Sequence, residues 1–423
     1  MLRKLVLHSV GPAKDLALDP VAPRLNLLTG DNGLGKSFVL EAAWWSLTRT
    51  WHETPAVPSA PDATIIHHFD SSSGVSKSKS AWDPAGQSWK RKQGRPPNPG
   101  LVMYARVDGS FSVWDPARNY RLYARADGGE AESPAAYQFT SADVLEGLKR
   151  RVMVAGQERT ETLCLGLIDE WREWQRSSDP RFVLLEKLLA ALGPDGQPLQ
   201  PGNLLRPSLD DVREIPTIRM PYGQDVPITY APAGVRRMCK LAYLLTWAMS
   251  EHEAESKRRQ IAPSRQVLVL IDEPETHLHP RWQRTVLPSL LEAVEGWRET
   301  KVQFIVATHS PLVLTSVEPW FDPERDALWK LDLVDGSVRI ERDTWHKRGD
   351  AMMWLESDVF DETAPYSRET EEAMKAAAVL MADPQATEAR ADEVRTTLRR
   401  SLADNDPFWL DWRAWRRSKG WSP

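Results

Sequence analysis

The chain has 423 residues, of which 41% are hydrophobic and 27% charged, a formal net charge of −5 and a pI of about 6.1. This excludes disordered and collagen-like chains and predicts two or three structural units with a sizeable core; it also excludes a global basic field, so any DNA contact has to use a local patch. Two cysteines far apart in sequence, Cys164 and Cys239, exclude a disulfide framework and a zinc pattern, while the lack of a signal-like start or an 18-residue apolar run predicts a cytoplasmic protein without a membrane span.

In chain order, Leu2 to His8, Asp15 to Leu18 and Leu25 to Thr29 read as strands. The third feeds Gly30-Asp31-Asn32-Gly33-Leu34-Gly35-Lys36-Ser37, a complete match to G-x-x-x-x-G-K-[ST]. Such a loop turns its backbone N–H groups inward on a phosphate and adds the positive end of the following helix, with the lysine reaching the β- and γ-phosphates and the serine hydroxyl available to Mg²⁺. The predicted nucleotide site is therefore Gly30 to Ser37 with Phe38, and its cofactors are ATP and Mg²⁺. Phe38 to Leu47 is apolar nearly all round, as a helix packed on a sheet would be.

From His52 to about Gly100 the chain is rich in Pro, Ser, Asp and Gly and reads as a loop-like insertion. Lys77, Lys79, Lys90, Arg91, Lys92 and Arg95 lie there with Trp82 and Trp89 interleaved, a pattern open to two readings: a phosphate-backbone contact or a solvated loop. Leu101 to Ala105 and Phe111 to Trp114 read as strands around the Asp108-Gly109 turn, Ala135 to Phe139 as another strand, and Ser141 to Leu192 as helices. No heptad pattern persists, which argues against a long coiled-coil arm.

Tyr230 to Arg237 then leads into a strongly apolar helical run. Val267 to Ile271 is a doubly buried strand with Asp272 and Glu273 at its C-terminal end, where ligands sit in parallel α/β sheets. Asp272 fits an Mg²⁺-holding carboxylate, Glu273 a general base that orients water. The segment continues Pro274-Glu275-Thr276-His277-Leu278-His279-Pro280, and a later buried strand, Val302 to Ala307, precedes Thr308-His309-Ser310-Pro311. Leu328 to Ile340 reads as a hairpin around Asp335-Gly336; Arg368 to Met381 and Glu388 to Leu402 read as helices. Trp409, Trp412 and Arg416 share one face of a last helix, which either docks a partner or folds back on the core.

Taken together, the early antiparallel strands, the P-loop, Tyr230 to Arg237, the Asp272-Glu273-Pro274-Glu275 segment and His309 resemble the ABC-type ATPase heads of the SMC and RecF proteins. Within that group the chain is similar to the ATPases of overcoming-lysogenization-defect and related bacterial anti-phage systems. The resemblance implies an α/β fold with an antiparallel β lobe, a parallel core sheet and a helical lobe. It implies a head over residues 1–326, with an insertion and β lobe at 52–139 and a helical lobe at 140–260, and a C-terminal hairpin and helical unit at 327–423. It implies a signature-like motif at Ala233, Gly234, Val235 and Arg236 that grips the ATP of a second subunit in trans, although Pro232 stands where a serine is usual. It further implies His309 as the γ-phosphate sensor, Gln138 as a metal ligand beside Ser37 and Asp272, and Glu273, Lys36 and His309 as the catalytic set. The function implied is Mg²⁺-dependent ATP hydrolysis in a homodimer that controls a separately encoded effector, a nuclease among the candidates. A RecF-like clamp on duplex DNA and an ATP-bound scaffold with little turnover are the alternatives.

Overall fold

The computed structural model of the chain describes residues 1–52, 54–71, 74–90, 97–120, 134–154, 157–194, 196–295, 297, 299–360 and 363–422. Its centre is an eight-stranded sheet in the order Ser337–Asp343, Asp326–Val334, Leu25–Thr29, Lys301–Ala307, Gln266–Asp272, Leu101–Ala105, Phe111–Trp114, Tyr137–Phe139. The five strands from Asp326–Val334 to Leu101–Ala105 run parallel, and antiparallel strands extend both edges. Strands covered on both faces need unbroken apolar runs. Leu25–Thr29 is accordingly buried at every position and Gln266–Asp272 at all but its first. The helix Lys36–Thr48 packs on this sheet, with Trp44 and Trp45 essentially inaccessible.

A second, five-stranded antiparallel sheet runs Asp15–Leu18, Leu2–His8, Thr64–Ser71, Gly74–Asp83, Ser88–Trp89. Much of the expected loop-like insertion at 52–100 is thus strand. Gly74–Asp83 is masked in the sequence because most of its residues are exposed or half-buried, so it carries Ser and Lys in alternation instead of an apolar face. The indoles of Trp82 and Trp89 meet at 5.3 Å, and Trp89 lies 6.1 Å from Trp45, so both tryptophans serve the packing of this lobe. Of the basic cluster, Lys77 and Lys79 are exposed on Gly74–Asp83 and Lys90 is exposed beyond it, while Arg91, Lys92 and Arg95 lie outside the described residues. Gln303, fully buried, joins the two sheets: it accepts from the Leu2 N–H at 2.7 Å and donates to the carbonyls of Leu2 and Ala22 at 2.9 and 2.7 Å.

The expected all-helical stretch after Ser141 is also corrected. Leu148–Val154 and Gln157–Cys164 pair as a hairpin between the helices Ser141–Glu146 and Gly166–Ser177. Gly147 and Gly166, both at positive φ, mark the breaks, and Gln157 to Glu161 is exposed throughout, so no buried face imposed a period. Pro180–Leu192 and a small sheet of Gln200–Pro201, Thr217–Arg219 and Asp225–Pro227 complete this lobe with the 26-residue helix Ala233–Arg258.

Residues 1–351 and 352–423 form separate compact units. The boundary expected at 326/327 is therefore displaced. The hairpin assigned to the C-terminal unit is part of the central sheet, because Asp326–Val334 pairs in parallel with Leu25–Thr29, and buried Asp326 accepts from the Arg24 Nε at 2.9 Å and the Leu25 N–H at 3.1 Å. The C-terminal unit holds Arg368–Ala382, Glu388–Ser401 and Phe408–Ser418. Trp409, Trp412 and Arg416 are buried within it, the guanidinium of Arg416 2.9 Å from Asp392, so the tryptophan face is already covered by its own unit.

Candidate functional site

The site lies at the C-terminal ends of the parallel strands. Gly30, Gly33 and Gly35 have φ of +130°, +82° and +94°, the left-handed region that glycine enters without a steric cost. A Cβ at Gly30 would stand 2.1 Å from the carbonyl oxygen of Leu331, so the reassigned strand Asp326–Val334 also shapes the start of the loop. Asp31, Asn32, Gly33 and Ser37 are exposed at the mouth, Leu34 is buried beneath them, and Phe38 is half-buried against Gly11. The Lys36 ammonium folds back on its own loop, donating to the carbonyls of Gly30 at 2.7 Å and Asp31 at 2.9 Å. Burial pulls its pKa below the ordinary lysine value, opposed by Glu273 and Asp272.

Asp272 ends its strand close to Ser37. Its Oδ1 is buried and has no partner among the described residues. Burial pushes this carboxyl up to about 6, with Glu273 adding to the effect and Ser37 and Lys36 opposing it. A hydroxyl beside a buried, unpartnered carboxylate oxygen fits a hard, oxygen-seeking cation of the Mg²⁺ kind. No described cluster of three or more His, Cys, Asp or Glu side chains offers a different metal centre. His277 is exposed, and His279 is occupied as the N-cap of Pro280–Gln283.

Glu273 follows at a positive φ of 47°, held by its N–H bond to the Ala307 carbonyl at 2.9 Å. Its Oε2 accepts from Thr276 at 3.0 Å and its Oε1 lies 3.4 Å from His309 Nδ1. Glu275, only 4% exposed, was not singled out by its sequence, yet it anchors the histidine turn: Oε1 accepts from Thr308 Oγ1 at 2.8 Å and the His309 N–H at 3.0 Å. Burial raises its pKa, and these hydrogen bonds oppose the shift. The only local signal was its register, two residues after Glu273.

The helix Ala233–Arg258 begins without a side-chain cap, at Pro232, with Ala233 exposed, Gly234 and Arg236 half-buried and Val235 buried. Gly234 lies against the Asp272 segment; a Cβ there would stand 3.0 Å from the His277 carbonyl. Arg236 makes one long bond, 3.4 Å to the Thr229 carbonyl. Arg237 donates within its own chain, to the carbonyls of Val107 at 2.8 Å, Glu273 at 2.8 Å and Asp272 at 3.3 Å. Lys36, Ser37, Asp272, Glu273 and His309 thus lie around the ends of adjacent strands. Gln138 does not join them. It lies on the strand Tyr137–Phe139, three strands from Gln266–Asp272 and so roughly 14 Å away, with its amide donating to the Trp51 carbonyl at 2.9 Å. The expected metal role of Gln138 is not met because the strands Leu101–Ala105 and Phe111–Trp114, joined by the turn at Asp108-Gly109, lie between it and the site.

Residues 177–315 match a family model described as an AAA domain, putative AbiEii toxin, Type IV TA system. A 50-residue stretch is 50% identical to the Retron Vc95 probable ATPase of Vibrio cholerae serotype O1 biovar El Tor, covering 12% of this chain and 9% of that protein. A 51-residue stretch is 43% identical to the Retron Ec83 probable ATPase of Escherichia coli, covering 12% and 8%. The matches therefore span less than a tenth of either relative. Among solved structures, the SMC head domain from Thermotoga maritima aligns over 81% of this chain and 99% of its own at 15% identity and a TM-score of 0.40. The Smc head with an extended coiled coil bound to the C-terminal domain of ScpA derived from Pyrococcus furiosus aligns over 81% and 96% at 11% identity and a TM-score of 0.42. The family match covers about a third of the chain, and in the structure the P-loop and the acidic strand end lie on one mixed α/β sheet. No described helix is long and apolar enough to cross a membrane.

Proposed function

We propose that this protein is a Mg²⁺-dependent ATP hydrolase that works as a homodimer and serves as the nucleotide-driven subunit of an anti-phage defence system, controlling a separately encoded effector. The observation that carries the chemistry is the convergence of Lys36, Ser37, Asp272, Glu273 and His309 on one end of the sheet, with Asp272 Oδ1 buried and unpartnered. Ser37 and Asp272 would hold Mg²⁺, which neutralises charge on the β- and γ-phosphates when bound. The Lys36 ammonium exchanges the Gly30 and Asp31 carbonyls for phosphate oxygens. Glu273 orients a water and takes its proton, and the nearby His309 imidazole answers to the γ-phosphate position. The uncapped start of Ala233–Arg258 presents Ala233, Gly234 and Val235 N–H groups, a place for the γ-phosphate of ATP held by a second copy. A two-fold dimer completes both sites at once. The defence role rests on the two retron relatives and the AAA-domain match.

The test is ATP turnover by the full chain and by Glu273→Gln, with and without Mg²⁺, duplex DNA and the products of neighbouring genes. The reading expects Mg²⁺-dependent turnover by wild type, retained ATP binding with turnover reduced at least a hundredfold in Glu273→Gln, and co-purification with an effector. Binding without turnover in both proteins overturns the hydrolase assignment in favour of a nucleotide-held scaffold. Turnover that requires duplex DNA and no co-purified effector favours the clamp.

A further inference from the structure

Between the central sheet and the start of Ala233–Arg258 lies a cavity of about 530 Å³, within the range that small-molecule sites occupy. It is separate from the P-loop, none of whose residues lines it. Its lining is divided chemically. Phe111, Leu145, Met238, Leu241 and Leu244 supply apolar surface, whereas four cations, Arg106, Arg236, Arg237 and Lys240, face a single lining carboxylate, Asp108.

The cations are poorly compensated. Arg236, Arg237 and Lys240 form no ion pair among the described residues; Lys240 Nζ donates to the Ser141 carbonyl at 2.7 Å and to its hydroxyl at 2.6 Å, both neutral acceptors. Arg106 is only 7% exposed, with Nε on Glu41 at 2.9 Å and Nη1 on Ser112 at 2.9 Å, while its Nη2 is buried and without a partner. A buried guanidinium nitrogen left without an acceptor is costly, and an anionic oxygen relieves that cost. Burial together with Arg236 and Arg237 pulls Lys240 down to about 8, so its ammonium also stands to gain from a negative neighbour.

We propose that this cavity is a second ligand site, for a small organic anion whose carboxylate, sulfonate or phosphate ester meets Arg106 and Lys240 while an apolar body fills the leucine-lined part. Arg237 joins this cavity to the carbonyls of Asp272 and Glu273, so an occupant there would act on the hydrolytic turn; that consequence, unlike the binding itself, rests on the proposed function.

The test uses the full chain and 8-anilinonaphthalene-1-sulfonate as the anionic probe, with neutral N-phenyl-1-naphthylamine as its control. Expected are one saturable sulfonate site per chain, at least tenfold weaker binding of the neutral probe, and at least tenfold weaker sulfonate binding in Arg106→Lys and in Lys240→Met. Leu145→Trp, which fills the cavity with apolar atoms, abolishes binding while the thermal midpoint stays within a few degrees, which separates loss of the site from loss of the fold. Lys36→Ala leaves the sulfonate affinity unchanged. Equal binding of the two probes, unchanged affinity in the three cavity variants, or loss of the site in Lys36→Ala overturns the proposal. None of these readouts depends on ATP turnover, so failure here and failure of the hydrolase reading are distinguishable.

Discussion

The guanidinium of Arg237 donates to the carbonyl oxygens of both Asp272 and Glu273, at 3.3 and 2.8 Å. One side chain on the first turns of the helix Ala233–Arg258 therefore holds the backbone that presents both carboxylates, and any shift of that helix pulls directly on the Asp272-Glu273 turn. Because Glu273 sits at a φ of 47°, a conformation that costs a non-glycine residue on the order of 1 kcal/mol, external support of this turn has a clear physical purpose.

Arg237→Met should lower ATP turnover at least tenfold while ATP affinity changes less than threefold, since P-loop contacts are untouched. Loss of three charge-assisted bonds should also reduce stability by about 1–3 kcal/mol. Steady-state kinetics, nucleotide titration and denaturant unfolding read the three quantities separately.

Glu275 acts on His309 through the backbone. Glu275→Ala strips the Thr308 hydroxyl and the His309 N–H of their buried acceptor and should cost about 2–4 kcal/mol. Glu275→Gln keeps one acceptor oxygen and should cost less than half as much. A denaturant midpoint that falls equally in both variants would contradict this assignment.

Two P-loop glycines should respond differently to the same change. At Gly30 an added methyl meets the Leu331 carbonyl, so Gly30→Ala should destabilise the chain by at least about 2 kcal/mol and abolish nucleotide binding. At Gly33 a Cβ finds nothing within 4 Å, leaving only the cost of its positive φ, about 1 kcal/mol. Thermal melting with and without ATP compares them.

Glu170 supplies a pH dependence away from the nucleotide. Its carboxyl contacts the Tyr243 hydroxyl at 3.2 Å and Cys164 Sγ at 3.6 Å, and burial raises it from 4.5 to about 7. Between those two values the folded chain holds the proton more tightly than the unfolded one, so the contribution of Glu170 to stability is full below about 4.5 and is lost as pH rises through about 7. Glu170→Gln should stand close to wild type at pH 5 and exceed it at pH 8 by on the order of 2–3 kcal/mol. Equal melting differences at the two pH values would refute the assignment.

The strands Leu2–His8, Leu25–Thr29, Gln266–Asp272 and Lys301–Ala307, the P-loop between Gly30 and Ser37, and the Asp272-Glu273 pair were legible from sequence alone. There the requirements are local: doubly buried parallel strands demand continuous apolar runs, and a phosphate-binding turn demands glycine at fixed offsets. The hairpin at 148–164, the strand Gly74–Asp83 and the place of Asp326–Val334 in the central sheet were not legible, because exposed strands carry no apolar period and sheet order is a relation between distant segments. The same limit separated Gln138 from the metal position and concealed the roles of Glu275 and Arg237. Residue type and spacing settle what chemistry a segment offers; which groups share a site follows from strand order and close approach, which only the tertiary structure decides.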